Sequence, residues 1–339
     1  MHIVITGGAG FVGARLARTL LANGHLALAG AAATPITAVT LVDRAPSPAE
    51  LAADPRVRSV TGDLNELLAD AAASVVPGDA SLVFHLAAAV SGECEADFDL
   101  GMRSNLAATH ALLEACRRLG TRPTLVFASS LAVFGHSPEQ PLPKAIEDHT
   151  LPTPQTSYGI QKFIGEQLVA DYARKGFIRG RSVRLMTVCV RPGRPNAAAS
   201  SFFSGMIREP LAGVRAPCPV PDDTLVALAS PARTVEGLIR AAEASDAQWG
   251  PRTALNLPSL SLTVGEMAAV LGRVAGQAAT DLLDRTPDAA IQRIVKTWPG
   301  RLHTVRAKAL GLEADASFEA IVRHYISENP EAVKLPVGA

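Results

Sequence analysis

The 339-residue sequence predicts an α/β protein built around a doubly wound parallel sheet. Two observations support this prediction. Short apolar runs such as SLVFHLAA and TLVFASS lack polar alternation, which indicates strands buried on both faces. These runs alternate with longer helical patterns, as in strand–helix–strand units that build parallel sheets. We predict strands at Ile3–Thr6, Val39–Asp43, Val57–Thr61, Leu82–Leu86, Leu125–Ser129 and Val183–Val188, and helices at Phe11–Ala22, Asn65–Ala73, Leu100–Leu119 and Tyr158–Lys175.

The character of the chain changes beyond residue 190, where prolines become frequent and strand–helix alternation is lost. Helical patterns follow at Val235–Ala244 and Val264–Val274. We therefore predict a first domain at residues 1–190 and a smaller mixed substrate lobe at residues 191–339. Whether the later chain crosses back to the sheet is left open. The Ala-rich stretch Ala29–Pro35 is interpreted as a surface loop, and Gly24 and Gly120 as helix C-caps.

Composition excludes several classes of protein. Lys plus Arg equals Asp plus Glu at 32 each, which argues against nucleic acid or an anionic membrane surface as partner. The apolar tracts are broken by charge well short of a bilayer span. Four scattered cysteines without a C-x-x-C pair predict neither a zinc site nor a disulfide framework, and we expect no metal. With no export signal before the first strand, we expect a cytoplasmic protein.

The first strand runs directly into glycines at Gly7, Gly10 and Gly13, and a helical pattern follows. A strand, a glycine turn and a helix together form a site for a nucleotide pyrophosphate. Glycine permits close backbone approach, and the helix N-terminus presents free N–H groups to the phosphates. We expect this turn and the adjoining Phe11 and Val12 to bind a dinucleotide.

Asp43 ends the second predicted strand, where an acid hydrogen-bonds the adenosine ribose and repels a 2′-phosphate. It follows Gly13 by more than the usual ~20 residues, and the Ala-rich stretch supplies the excess. We therefore predict NAD as the cofactor. The neighbouring Arg44 leaves NADP as an alternative.

A second constellation combines Tyr158 and Lys162, which share a helix face at i and i+4. Ser129 and Ser130 end a predicted buried strand upstream. Because ligands bind at the carboxyl edge of a parallel sheet, a hydroxyl, a phenol and a lysine are expected to meet beside the nicotinamide.

Together the motifs ITGGAGFVG, HLAAA, SSLAVFG and SYGIQK resemble the extended short-chain dehydrogenase/reductase superfamily, over roughly the first 190 residues. The resemblance implies a Rossmann-type sheet and a homodimer formed through the helices at Leu100–Leu119 and Tyr158–Lys175. It also implies a catalytic set of Ser130, Tyr158, Lys162 and Asn105. Further cofactor contacts are implied at Asp63, Leu64, Leu86, Ala87 and Ala88.

In this interpretation Tyr158 is the general base that removes the proton of a substrate hydroxyl. An ordinary Tyr has a pKa of about 10, so we expect Lys162 and the nicotinamide cation to lower it. Ser130 orients the substrate, and Lys162 also holds the nicotinamide ribose. Asn105 is assigned to a water-mediated proton path, with a purely structural buried amide as the alternative.

The stretches Ser182–Gly213 and Val295–Gly311 are similar to a subgroup that oxidises the four-carbon sugar acid D-erythronate at C2. A carboxylate substrate calls for an Arg, and Arg191 and Arg208 are the candidates. Arg208 has the alternative of pairing with Glu209 or capping a helix. Ser91 is a further substrate candidate. The competing functions are a nucleotide-sugar 4-epimerase or reductase and a catalytically silent NAD sensor.

Overall fold

The computed structural model describes residues 1–338, and its centre is a seven-stranded parallel sheet. Its strands are β1 (His2–Thr6), β2 (Ala38–Asp43), β3 (Val57–Thr61), β4 (Ala80–His85), β5 (Thr124–Ser130), β6 (Arg179–Leu185) and β7 (Leu255–Asn256). Along the sheet they follow the order β3-β2-β1-β4-β5-β6-β7, which confirms the predicted doubly wound fold.

Helices cover both faces of the sheet because alternate residues of each strand point to opposite sides. Ile3 and Ile5 of β1 belong to a core shared with the first helix and with Leu238, whereas Val4 belongs to a core shared with Leu112 and Val169. The α-helices span Phe11–Asn23, Ala49–Ala52, Leu64–Asp70, Ala72–Val75, Ser91–Ala96, Phe98–Gly101, Ala108–Leu119, Ser157–Arg174, Ser201–Leu211, Pro231–Glu243, Asp246–Trp249, Val264–Ala275, Gln277–Thr280, Ala289–Val295, Val305–Ala309 and Phe318–Glu328.

The predicted helix Leu100–Leu119 contains a π-helical segment at Met102–Ala107 between two α-helical parts. Such segments insert an extra residue and often occur at functional sites. Here the segment places Asn105 in the interior, with 3% of its surface exposed. The C-caps predicted at Gly24 and Gly120 are both left-handed.

The strand predicted at Val183–Val188 is divided in the structure. β6 begins earlier, at Arg179, and Thr187–Val188 instead pairs with Leu225–Ala229 in a separate sheet. Leu260–Thr263 completes that three-stranded sheet. The first residues of β6 include arginines, which are untypical of a buried strand, so the sequence did not predict them as strand. In the structure Arg181 is only 5% exposed and forms an ion pair with Asp246.

The C-terminal half builds its own core around Phe203, Met206 and Leu271. It also contributes β7 to the edge of the main sheet, beside β6. Two further short ladders pair Ala216–Pro217 with Leu283–Asp284, and His25–Leu26 with Thr34–Pro35. The stretch Ala29–Pro35, predicted as a surface loop, contains the turn and the second strand of the latter hairpin, and its residues are half-buried or exposed. The domain boundary at residue 190 stays a prediction.

Candidate active site

A cleft of about 460 Å³ runs along the carboxyl edge of the sheet. Loops after β1 to β6 line it, so the cleft lies where parallel sheets bind their ligands. The predicted cofactor and substrate residues on its wall are Gly7, Gly10, Phe11, Val12, Gly13, Asp43, Asp63, Leu64, Leu86, Ala87, Ala88, Ser91, Ser130, Tyr158, Lys162 and Arg191. No cluster of metal-ligating side chains occurs among residues 1–338.

The glycine turn forms one wall of the cleft and is closely packed. Gly7 has φ +72°, and a Cβ there would lie 2.8 Å from the amide nitrogen of Ala87. A Cβ on Gly13 would lie 2.1 Å from the carbonyl oxygen of Gly7. No side chain caps the following helix at Gly10, so its first N–H groups remain available to an anion.

The carboxylate of Asp43 lies on the cleft wall beside the glycine turn. Its Oδ2 accepts hydrogen bonds from the backbone N–H groups of Ala9 at 3.0 Å and Gly10 at 3.2 Å. Arg44 also lines the cleft. Asp63 caps the helix that starts at Leu64 by accepting from the Asn65 N–H at 3.0 Å, and this helix start also lines the cleft.

Tyr158, Lys162 and Ser130 converge at the other end. Thr156 caps the long helix by accepting from the Gly159 N–H at 3.1 Å, and Tyr158 lies in the first turn. The Nζ of Lys162 lies 5.6 Å from the centre of the Tyr158 ring. Ser130, at the end of β5, lines the cleft together with Tyr158 and Lys162, and its hydroxyl accepts from the Ala132 N–H at 3.1 Å. The hydroxyl, phenol and lysine therefore meet as the sequence predicts.

Burial shifts the pKa of both titrating groups. It raises the pKa of Tyr158 to about 12, against the opposing effects of the Ser130 hydroxyl and the charge of Arg191. It lowers the pKa of Lys162 to about 8, against the charges of Cys94 and Glu166. The protein by itself thus holds the phenol protonated, contrary to the expectation that Lys162 lowers its pKa. The cationic nicotinamide is the remaining predicted source of that lowering.

A buried network supports this end of the cleft from below. Glu166, one turn beyond Lys162, accepts from the guanidinium of Arg184 at 2.8 and 2.7 Å. It also accepts from the Ser129 hydroxyl at 2.5 Å. Arg184 donates to Asn256 of β7 at 3.3 Å. The network thus ties the helix carrying Lys162 to the strand end carrying Ser130.

Asn105 does not reach the cleft wall. Its Oδ1 accepts from the Ala89 N–H at 2.8 Å, and its Nδ2 donates to the Ala89 carbonyl and to Gln161. The amide therefore satisfies buried backbone, which is the structural alternative considered above. Asn105 acts on the site by holding the loop that follows β4.

The two candidate arginines lie in different places. Arg191 lines the cleft near Tyr158, and burial lowers its pKa. Arg208 lies behind the wall, 7% exposed, and forms an ion pair with Glu209. The alternative of a pair with Glu209 is therefore the one observed. Ser91 accepts a hydrogen bond from the Ala199 N–H at 3.1 Å and so anchors the loop over the cleft.

Several lining residues were not singled out from the sequence. Asn196 and Ser200 lie in the loop after Arg191, and Trp298 reaches the cleft from the C-terminal half. The resemblance at Val295–Gly311 points to the segment containing Trp298 but not to the residue. Only folding brings this distant segment to the site.

Comparisons with known proteins follow this geometry. The NAD dependent epimerase/dehydratase family matches residues 3–226. D-erythronate dehydrogenase from Cupriavidus necator is 49% identical, with 97% of this chain and 98% of that protein covered. D-erythronate dehydrogenase from Haemophilus influenzae is 40% identical over 96% of this chain and 99% of that protein.

Among solved structures, a nucleoside-diphosphate-sugar epimerase from Agrobacterium tumefaciens superposes with a TM-score of 0.87 at 42% identity, covering 98% of this chain and 95% of that one. L-threonine dehydrogenase from Clostridium difficile shares the fold, with a TM-score of 0.82 at 19% identity over 98% of this chain and 99% of that one. The motifs, the cleft and these similarities agree: the chain belongs to the NAD-dependent epimerase/dehydratase family and is an NAD-dependent oxidoreductase.

Proposed function

We propose that this protein oxidises D-erythronate at C2 to 2-dehydro-D-erythronate, with Tyr158 as the general base. The observation that supports this most directly is the meeting of Tyr158, Lys162 and Ser130 at one end of a cleft whose other end is the glycine turn. Two D-erythronate dehydrogenases that align over nearly the whole chain support the choice of substrate.

The cleft wall fits NAD at three places. Gly7 and Gly13 allow the turn to pack closely, because a Cβ on either would collide with backbone atoms of Ala87 or Gly7, and the helix after this turn would offer its free N–H groups to a diphosphate. Asp43 would accept from the adenosine ribose and repel a 2′-phosphate, and Asp63 and Leu64 would flank the adenine. Lys162 would hold the nicotinamide ribose. Bound NAD supplies the acceptor for the hydride that leaves C2.

The side chains manage the proton and the carboxylate. Ser130 orients the C2 hydroxyl, and the phenolate of Tyr158 takes its proton as the C2–H bond breaks and the carbonyl forms. Arg191 pairs with the substrate carboxylate in the bidentate geometry that a guanidinium offers. Loss of one hydride and one proton converts the alcohol to the ketone.

A nucleotide-sugar 4-epimerase or reductase is the second candidate, favoured by the similarity to the Agrobacterium tumefaciens structure. To distinguish the two, NAD is supplied with D-erythronate and separately with UDP-hexoses. Net NADH formation with the acid is the expected result. Conversion of a UDP-hexose without net NADH would favour the second candidate, and bound NAD without any turnover would favour a sensor.

We further propose a homodimer through the helices at Ala108–Leu119 and Ser157–Arg174. Ile160 and Ile164 are 47% and 36% exposed on the long helix, and the neighbouring Phe98 is 61% exposed. Residues i and i+4 share one helix face, so the two isoleucines form an apolar strip suited to a second copy.

No helix within residues 1–338 has the length and apolarity to cross a bilayer.

A further inference from the structure

The guanidinium of Arg191 is a charge without a protein partner in the cleft. No side chain among residues 1–338 forms an ion pair or hydrogen bond with it. It lines the same cleft as Ser130, Tyr158 and Lys162. A partly buried cation left unpaired in a ligand cleft is poised for an anionic group.

The backbone of Arg191 is held on both sides by one helix. The hydroxyl of Ser204 accepts from the Arg191 N–H at 3.0 Å. The Nη1 of Arg208 donates to the Arg191 carbonyl at 2.6 Å. Ser204 and Arg208 are four residues apart on the helix Ser201–Leu211 and therefore share one face. Both peptide groups of Arg191 are thereby fixed to a rigid element.

The charge of Arg208 is neutralised within the protein. Its Nη2 donates to Glu209, and the side chains of this pair are 8% and 16% exposed. Were Arg208 unpaired, a second uncompensated cation would lie next to Arg191. Its pairing leaves Arg191 as the uncompensated charge, and one such charge matches one carboxylate.

We propose that Arg208 is a positioning residue that fixes Arg191 as a receptor for a single carboxylate. This inference rests on the proposed function and sharpens its substrate class to sugar acids bearing one anionic group. It also changes the role predicted for Arg208 from direct substrate contact to support through the main chain of Arg191.

The test is calorimetric titration of D-erythronate into the NADH-loaded protein, which cannot oxidise it. Arg208→Met/Glu209→Gln removes the pair without leaving either charge buried alone, a change that folded proteins tolerate well. We expect D-erythronate to bind this variant about tenfold more weakly, while NADH affinity and Tm stay unchanged. Meso-erythritol, which lacks the carboxylate, should bind both proteins alike, and meso-tartrate should bind the wild type about tenfold more weakly than D-erythronate.

The matched control is Arg233→Met/Glu236→Gln, which removes an ion pair on another helix, away from the cleft, and should change no affinity. The single variant Arg208→Lys keeps the charge and a hydrogen-bond donor, so it should bind D-erythronate more tightly than Arg208→Met/Glu209→Gln does. The inference would be overturned by equal D-erythronate affinity in the wild type and the double variant. It would also be overturned if meso-tartrate bound the wild type as tightly as D-erythronate, or if D-erythronate did not bind at all. Binding with the expected pattern but no turnover with NAD would refute only the proposed function.

Discussion

The ammonium of Lys162 lies 5.6 Å from the ring centre of Tyr158, one helical turn away, and donates a hydrogen bond to the Ala128 carbonyl at 2.9 Å. That bond ties the helix to β5, whose last residue, Ser130, lines the cleft beside the phenol. The three groups are thus held by two rigid elements, which favours precise alignment of a substrate hydroxyl.

Tyr158→Phe removes the base and keeps the ring. We expect kcat to fall by about 10²- to 10⁴-fold, the usual contribution of a general base, with NAD affinity nearly unchanged. Steady-state kinetics with D-erythronate and an NAD titration measure the two quantities. Parallel losses of kcat and NAD affinity would contradict the assigned role.

Lys162→Met should abolish activity yet stabilise the protein at pH 7. The pKa of Lys162 is lowered to about 8, so the unfolded chain binds more protons than the folded one between that value and about 10.4. Burial of the ammonium therefore costs about 3 kcal/mol well below pH 8, and this cost disappears as the pH rises towards 10.

Thermal unfolding of both proteins at pH 7 and pH 10 tests this sign. The variant should have the higher Tm at pH 7, and the difference should shrink at pH 10. If the Tm difference between the two proteins does not change with pH, burial of the charged ammonium does not destabilise the wild type.

Asp43→Ser should move the cofactor preference from NAD towards NADP. The change removes the carboxylate that repels a 2′-phosphate and leaves Arg44 beside the site. We expect the ratio of kcat/KM for NAD to that for NADP to fall by about 10²-fold, equal to ~2.7 kcal/mol. Adding Arg44→Ala should lower the gain with NADP, and an unchanged ratio would exclude Asp43 from cofactor selection.

Arg184→Met should destabilise the fold by about 3–5 kcal/mol because it leaves the Glu166 carboxylate buried without its charge partner. The double variant Glu166→Gln/Arg184→Met should regain most of that loss. Denaturant unfolding measures both values. A double variant as unstable as the single one would show that packing against Phe134, whose ring centre lies 4.7 Å from the guanidinium, matters more than charge.

Ile160→Lys/Ile164→Lys places two cations on the exposed strip of the long helix. If this strip is the dimer interface, light scattering should change from the mass of two chains to that of one, with NAD binding retained. A wild type that is already monomeric at micromolar concentration would refute the proposed homodimer.

The local order of residues was enough to predict most strands, the glycine turn and the pair formed by Tyr158 and Lys162. These features depend on short-range patterns: uninterrupted apolar runs, glycines between strand and helix, and i, i+4 spacing. The predicted strand starts at Val183, whereas β6 starts at Arg179, because arginines are typical of exposed positions. Their burial depends on Glu166 and Asp246, which are distant in sequence.

Short-range patterns were sufficient to predict the fold class and the positions of the glycine turn, Ser130, Tyr158 and Lys162 on one cleft, because each is encoded within a few neighbouring residues. Long-range folding placed Arg191 on the cleft and Arg208 against Glu209, held Asn105 against the Ala89 backbone and brought Trp298 to the cleft. Those outcomes depend on which side chains finish in contact across long stretches of chain. Burial and pairing, which no local pattern records, determine whether a charged or polar group faces the ligand or satisfies the interior.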